Sequence, residues 1–163
     1  DERWVDADHA DSNEKLVRAN LLINEAHQAT FIGLKNSAAD AIVGEPETEQ
    51  ALAAVGKFTV LILGMGDDGH TASLFPGADA LALGLDMDSG RTCIGVTPTE
   101  APHQRISMTL PRLIDSQQII IHISGAGKQQ VLEQAQAGDD VEALPIRAIL
   151  NQQQAPLAIY WAK

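Results

Sequence analysis

Cysteine is almost absent from this sequence, and with it go the frameworks built on paired thiols: Cys93 stands alone among 163 residues. One thiol forms no internal disulfide, and the lack of any Cys-x-x-Cys excludes the common zinc and redox sites. Cys93 lies in the apolar run RTCIGV and reads as a buried, inert thiol. Positive charge is scarce as well. Eleven Lys and Arg face 22 Asp and Glu, giving a net charge of −11, the reverse of the basic footprint that nucleic acid requires. Nucleic acid is therefore not an expected partner. An anionic small molecule would have to be held by a local cluster drawn from few cations, so each Arg or Lys beside a motif gains weight. No apolar run approaches the ~18 residues of a membrane-spanning helix, and nothing reads as a signal peptide. No membrane association and a cytoplasmic address are the expectations. An initiator Met and a lead-in strand are missing before Asp1-Glu2-Arg3-Trp4-Val5. We therefore read residues 1–163 as a single α/β domain forming the C-terminal part of a longer chain.

What is present alternates between two periods. Asp11-Ser12-Asn13 offers helix caps before EKLVRANLLINEA, where Leu16, Ala19, Leu22 and Ile23 recur at helical spacing. A second helix is expected after Pro46, with Glu47 and Glu49 in its first turn and Gly56 at its end. FTVLILG then reads as a strand buried on both faces. RTCIGVT, RISMTL, QQIIIHIS and PLAIYWA read as further strands, while AGKQQVLEQAQAG and PIRAIL read as helices. PGADALALGLDMDSG is a helix-plus-loop excursion. The alternation predicts an α/β fold with an open, mostly parallel, doubly wound sheet and helices on both faces. In such sheets ligands bind beyond the carboxyl ends of the strands.

That rule singles out LGMGDDGHTASLFPG, Leu63 to Gly77, directly after FTVLI. Gly64, Gly66 and Gly69 match the dinucleotide fingerprint G-x-G-x-x-G, and Asp86 and Asp88 fall about 20 residues on. Pro76-Gly77, however, leaves no room for the long helix on which that fingerprint sets the pyrophosphate. The acids also precede the next strand instead of ending it. The glycines serve better to turn the chain sharply and present Asp68 and His70 to a cleft. Histidine, with its near-neutral intrinsic pKa, is the natural general base. His9, His27 and His103 read as ordinary satisfied residues, and His122 as a packed strand position. Asp67, Asp68 and His70 are metal-ligand types, but no second His or acid ladder accompanies them, so no metal is expected.

DERWV at Asp1–Val5, SN at Ser12–Asn13, GMGDDGHTASLFPG at Gly64–Gly77, RISMTLP at Arg105–Pro111 and AGK at Ala126–Lys128 together resemble the 6-phosphogluconolactonases. The resemblance runs through the whole chain in order. The glucosamine-6-phosphate deaminases share the fold and the loop, but carry Tyr after the first Asp-Glu and Ile-Ala-Phe-Asn-Glu-Pro after the His. This sequence has Arg3-Trp4 and Thr71-Ala72-Ser73-Leu74-Phe75-Pro76 instead. The upstream Gly-Gly-Ser/Thr loop that holds substrate phosphate in the lactonases has no counterpart here.

The resemblance implies hydrolysis of 6-phospho-D-glucono-1,5-lactone to 6-phosphogluconate, the lactone step of the pentose phosphate pathway, with no cofactor. It makes His70 the residue that activates water, with Asp68 and Asp1 beside it among the catalytic residues: Asp68 either orients or polarises His70 or holds the turn through its own backbone bonds, and Asp1 faces the sugar ring and carbonyl together with Arg3. Arg3, Gly66, Gly69, Arg105 and Lys128 become substrate-binding residues, Lys128 at the strand-to-helix turn SGAGK where a phosphate meets both ammonium and helix N-terminus. Ser73 has no nucleophile pattern around it and reads as a helix-start residue. Trp4 and Phe75 are expected to pack around the site. A monomer or homodimer acting on a small phosphosugar lactone is the expected unit. The alternatives are glucosamine-6-phosphate deamination and a non-catalytic sugar-phosphate or nucleotide binding module.

Overall fold

Ser12 starts the first helix in the computed structural model, which describes residues 1–163. Its hydroxyl accepts the Lys15 N–H at 3.1 Å, and α1 runs over Asn13–Asn20. The helix stops earlier than its apolar spacing predicts. Asn24 takes a left-handed φ of 51°, a conformation that Asn tolerates, and a separate 3-10 turn covers Asn24–Gln28.

Helix α2 spans Ala41–Leu52, so Pro46 lies inside it and not at its start. The expected start after Pro46 is corrected by Asp40, six residues before the proline, whose side chain accepts the Val43 N–H at 2.9 Å and caps the helix. The helix keeps its course through packing: Glu45 Oε1 accepts the Gly95 N–H, and Glu49 Oε1 accepts those of Thr92 and Cys93.

The remaining elements follow the predicted alternation. Strands are β1 Glu2–Arg3, β2 Leu61–Leu63, β3 Cys93–Val96, β4 Arg105–Met108, β5 Ile119–Ser124 and β6 Leu157–Ala162. Helices are α3 Leu81–Leu85, α4 Leu110–Ile114, α5 Ala126–Gln136 and α6 Ile146–Asn151. The fold is α/β, with parallel pairing in β2-β5-β6. A second sheet, β1-β4-β3, is antiparallel throughout, because β3 and β4 are joined by a short loop with no crossover helix.

Leu63, Ile119, Ile121 and Ile123 project from one face of the parallel sheet into a core of 19 buried residues, with Leu113, Ile146 and Ile149 contributed by α4 and α6. The opposite face is open. Ile62 is 67% exposed, and Val60 and His122 are exposed too, so β2 is not buried on both faces and His122 is not a packed position. The carboxyl ends of β2 and β5 lead into the Gly64–Phe75 loop and the Gly125–Lys128 turn. Pairing of β1 with β4 brings Asp1 and Arg3 towards the same region.

Candidate active site

After β2 the chain makes a tight turn in which Gly66 N–H donates to His70 O at 2.8 Å and Gly69 N–H to Gly66 O at 3.1 Å. No helix follows the third glycine. Thr71 and Leu74 form an isolated antiparallel bridge, and the next helix begins only at Leu81. The dinucleotide reading lacks the helix N-terminus it needs.

The turn draws Asp68 and His70 together. Asp68 Oδ1 lies 2.6 Å from His70 Nδ1 and accepts the His70 backbone N–H at 3.1 Å. Burial by itself pushes the Asp68 carboxyl up, but the hydrogen bonds from the backbone and ring of His70, with the attraction of the ring's charge, outweigh it and hold the group below the usual carboxylate range. His70 Nε2 is left without a protein partner, and the ring stacks against Phe75 with centroids 4.2 Å apart. Gly66 is what admits this pair: a Cβ there would lie 2.0 Å from His70 Nδ1 and 2.4 Å from Asp68 Oδ1. Gly69 adopts φ 75°, and its Cβ would lie 2.4 Å from Leu144 Cδ2.

His70 opens onto a cleft of about 520 Å³ that also takes in Asp1, Arg3, Asn13, Gly66 and Lys128. Six of the residues expected at the site are thus gathered here or joined to it: Asp1, Arg3, Gly66, His70 and Lys128 line the cleft, and Asp68 touches His70. Two are not at its surface. Gly69 shapes the turn behind the cleft, and Arg105, only 6% exposed, sits behind Phe75 with its guanidinium carbon 5.8 Å from that ring's centre.

The cations are unevenly satisfied. Lys128 Nζ pairs with Asp67 Oδ1 at 2.9 Å. Arg3 Nη1 donates to the Asp11 carbonyl and to Asn13 Oδ1, both at 2.9 Å, and forms no ion pair. Arg105 gives one bond to the Pro102 carbonyl, and Nε of both arginines is buried without a partner. Burial first, and repulsion from Arg3 second, pull Arg105 below the ordinary arginine value. Two guanidinium groups repelling each other with unused donors form a local positive field on an acidic protein.

Three contributors escaped sequence reasoning. Glu2, 3% exposed, accepts the backbone N–H groups of Arg3, Asn13 and Glu14 and the Ser12 hydroxyl, tying the Asp1–Arg3 segment to the start of α1. Asn13 holds Arg3 and donates to the Asp1 carbonyl. Ser73 is fully buried in a turn, not at a helix start, and its hydroxyl donates to Asp1 Oδ2 at 2.8 Å. Ser12-Asn13 was visible as a block with no role attached; nothing local links Ser73 to a residue 72 positions away. Phe75 packs on the His70 ring, whereas Trp4 lies outside the cleft, donating its indole N–H to Ala38 O and packing over Gly44 of α2.

Comparison with known proteins gives the family. The family described as glucosamine-6-phosphate isomerases/6-phosphogluconolactonase matches residues 1–161. The chain belongs to this family. Among its relatives, a 6-phosphogluconolactonase of Pseudomonas putida is 45% identical over 99% of this chain and 65% of its own length. One from Pseudomonas aeruginosa is 41% identical, over 99% of this chain and 67% of its length. The crystal structure of a 6-phosphogluconolactonase from Shewanella baltica superposes with a TM-score of 0.97 at 42% identity, covering 99% of this chain and 69% of that one. A monomeric glucosamine-6-phosphate deaminase, 18% identical with a TM-score of 0.78, shares the fold alone. The chain thus spans about two thirds of the length of these relatives. No helix is long and apolar enough to cross a membrane.

Proposed function

We propose that the protein hydrolyses 6-phospho-D-glucono-1,5-lactone to 6-phosphogluconate, with His70 as the general base. The observation that carries this reading is the Asp68–His70 pair, 2.6 Å apart, at the edge of a cleft that also holds Arg3 and Lys128. With Nδ1 donating its proton to Asp68, Nε2 carries the lone pair that takes a proton from water. The water attacks C1, and the Asp68 carboxylate stabilises the imidazolium that results. Collapse of the tetrahedral intermediate breaks the bond between C1 and the ring oxygen, and His70 returns its proton to that oxygen. Atoms balance with water alone, and no covalent nucleophile is required.

Arg3 and Lys128 supply positive charge for the phosphate and the developing oxyanion. Lys128 exchanges Asp67 for substrate. Arg105 reinforces the field from behind Phe75, while Gly66 and Gly69 shape the turn. Asp1, fixed by Ser73, meets the sugar ring. Identity above 40% to proteins named 6-phosphogluconolactonase supports this assignment over deamination.

The test offers both sugar phosphates to the protein: lactone opening followed above the spontaneous rate, and ammonia release from glucosamine 6-phosphate. Acceleration of the first alone is expected. Ammonia release without lactone opening would reassign the chain to the deaminase branch, and binding without turnover would make it a non-catalytic module.

A further inference from the structure

Three side chains outside the cleft converge on the surface from two loops. His9 and Asp11 lie between β1 and α1, and His103 lies between β3 and β4. Asp11 Oδ2 is 3.0 Å from His103 Nε2 and 3.8 Å from His9 Nδ1, and the three ligand atoms all lie within 4.8 Å of one another. Ligand atoms around a tetrahedral zinc, each about 2.0–2.2 Å from the metal, are roughly 3.3–3.6 Å apart. The Asp11–His103 and Asp11–His9 separations fall on either side of that spacing. Two imidazoles and one carboxylate suit a borderline cation, whereas magnesium and calcium prefer oxygen ligands throughout.

We propose that His9, Asp11 and His103 bind a divalent first-row transition cation of the zinc type, with the fourth position left to water. The cation takes the His9 Nδ1 lone pair that now accepts the Asp11 backbone N–H at 3.0 Å, and this exposed N–H turns to solvent. Binding staples the β1–α1 loop to the β3–β4 loop. It also reaches the cleft, because the Asp11 carbonyl accepts Arg3 Nη1 at 2.9 Å. The charges of Arg3 and Arg105 both act on Asp11, which keeps the affinity below that of closed structural zinc sites. The proposal is independent of the lactonase reading.

Titration calorimetry with zinc chloride in a non-coordinating buffer tests it on the parent protein and on His103→Ala, Asp11→Asn and His70→Ala. One equivalent should bind the parent and His70→Ala, raise the thermal midpoint of both, and shift the ring signals of His9 and His103 in NMR spectra. Binding should be lost in His103→Ala and Asp11→Asn, with circular dichroism confirming that both fold. Zinc binding that survives in His103→Ala, disappears in His70→Ala, or is absent from the parent would overturn the proposal.

Discussion

Asp68 holds His70 by Nδ1 at 2.6 Å, and the pair occupies the space that a side chain on Gly66 would fill. The requirement for glycine at position 66 is therefore steric, and it concerns two side chains instead of a nucleotide's phosphates. Gly66→Ala should displace the ring of His70 or expel Asp68 from it. Since misplacement of a reacting group by about 1 Å can lower a rate ~10²-fold, we expect a loss of that order in kcat. The turn lies at the surface of the cleft, so the folded state should persist; kinetics and a melting curve on the same sample check both statements.

Asp68→Asn tests the electrostatic half of the pair. Loss of the orienting carboxylate should lower kcat by about 10²–10⁴-fold. The stability consequence has a definite sign. The folded-state pKa of Asp68 is depressed, so its contribution is fully present above the unfolded carboxylate value of about 3.9 and is lost as pH falls through the folded value. The variant should be less stable than the parent at neutral pH, and the gap should close in acid. A gap that widens as pH falls below 4 contradicts the assignment.

Glu2 ties the first strand to α1. Replacing it with Ala leaves the Asn13 and Glu14 N–H groups without their acceptor, which should cost about 2 kcal/mol, or roughly 4–8 °C in Tm. Asp1 and Arg3 lose their fixed position with it, so KM should rise more than kcat falls. Differential scanning calorimetry and steady-state kinetics measure the two effects separately.

Cys93 should be silent chemically. Burial first, and the nearby Glu49 charge second, push its thiol up to about 12, and its side chain has no exposed surface. The native protein should not react with a thiol reagent at pH 8, and one equivalent should react after denaturation. Rapid native labelling would contradict the burial of β3 against α2.

Much of this site was legible as local chemistry. Asp68 and His70 are two residues apart between glycines, and the turn that joins them is short enough to read from spacing. Cys93 declared its burial through its apolar neighbours, and Lys128 its place through the Gly125 turn. Contacts at long separation were not legible in that way. The Ser73 hydroxyl finds Asp1 only because β1 pairs with β4, and Ser107 of β4 donates to neither but accepts the Ser73 N–H at 3.0 Å. A two-residue strand such as β1 has no period to detect. Pro46 misled because Asp40 outweighed it as a helix start. Val60 and Ile62 misled because hydrophobicity signals a preference for burial and does not say which face is covered.

The central claim, that His70 is the base of a lactonase, is tested most directly by comparing parent and His70→Ala on 6-phospho-D-glucono-1,5-lactone with the spontaneous opening subtracted. The account predicts catalysed hydrolysis by the parent and a variant that folds, keeps its cleft and falls to within a small multiple of the spontaneous rate. A His70→Ala variant as fast as the parent would contradict it.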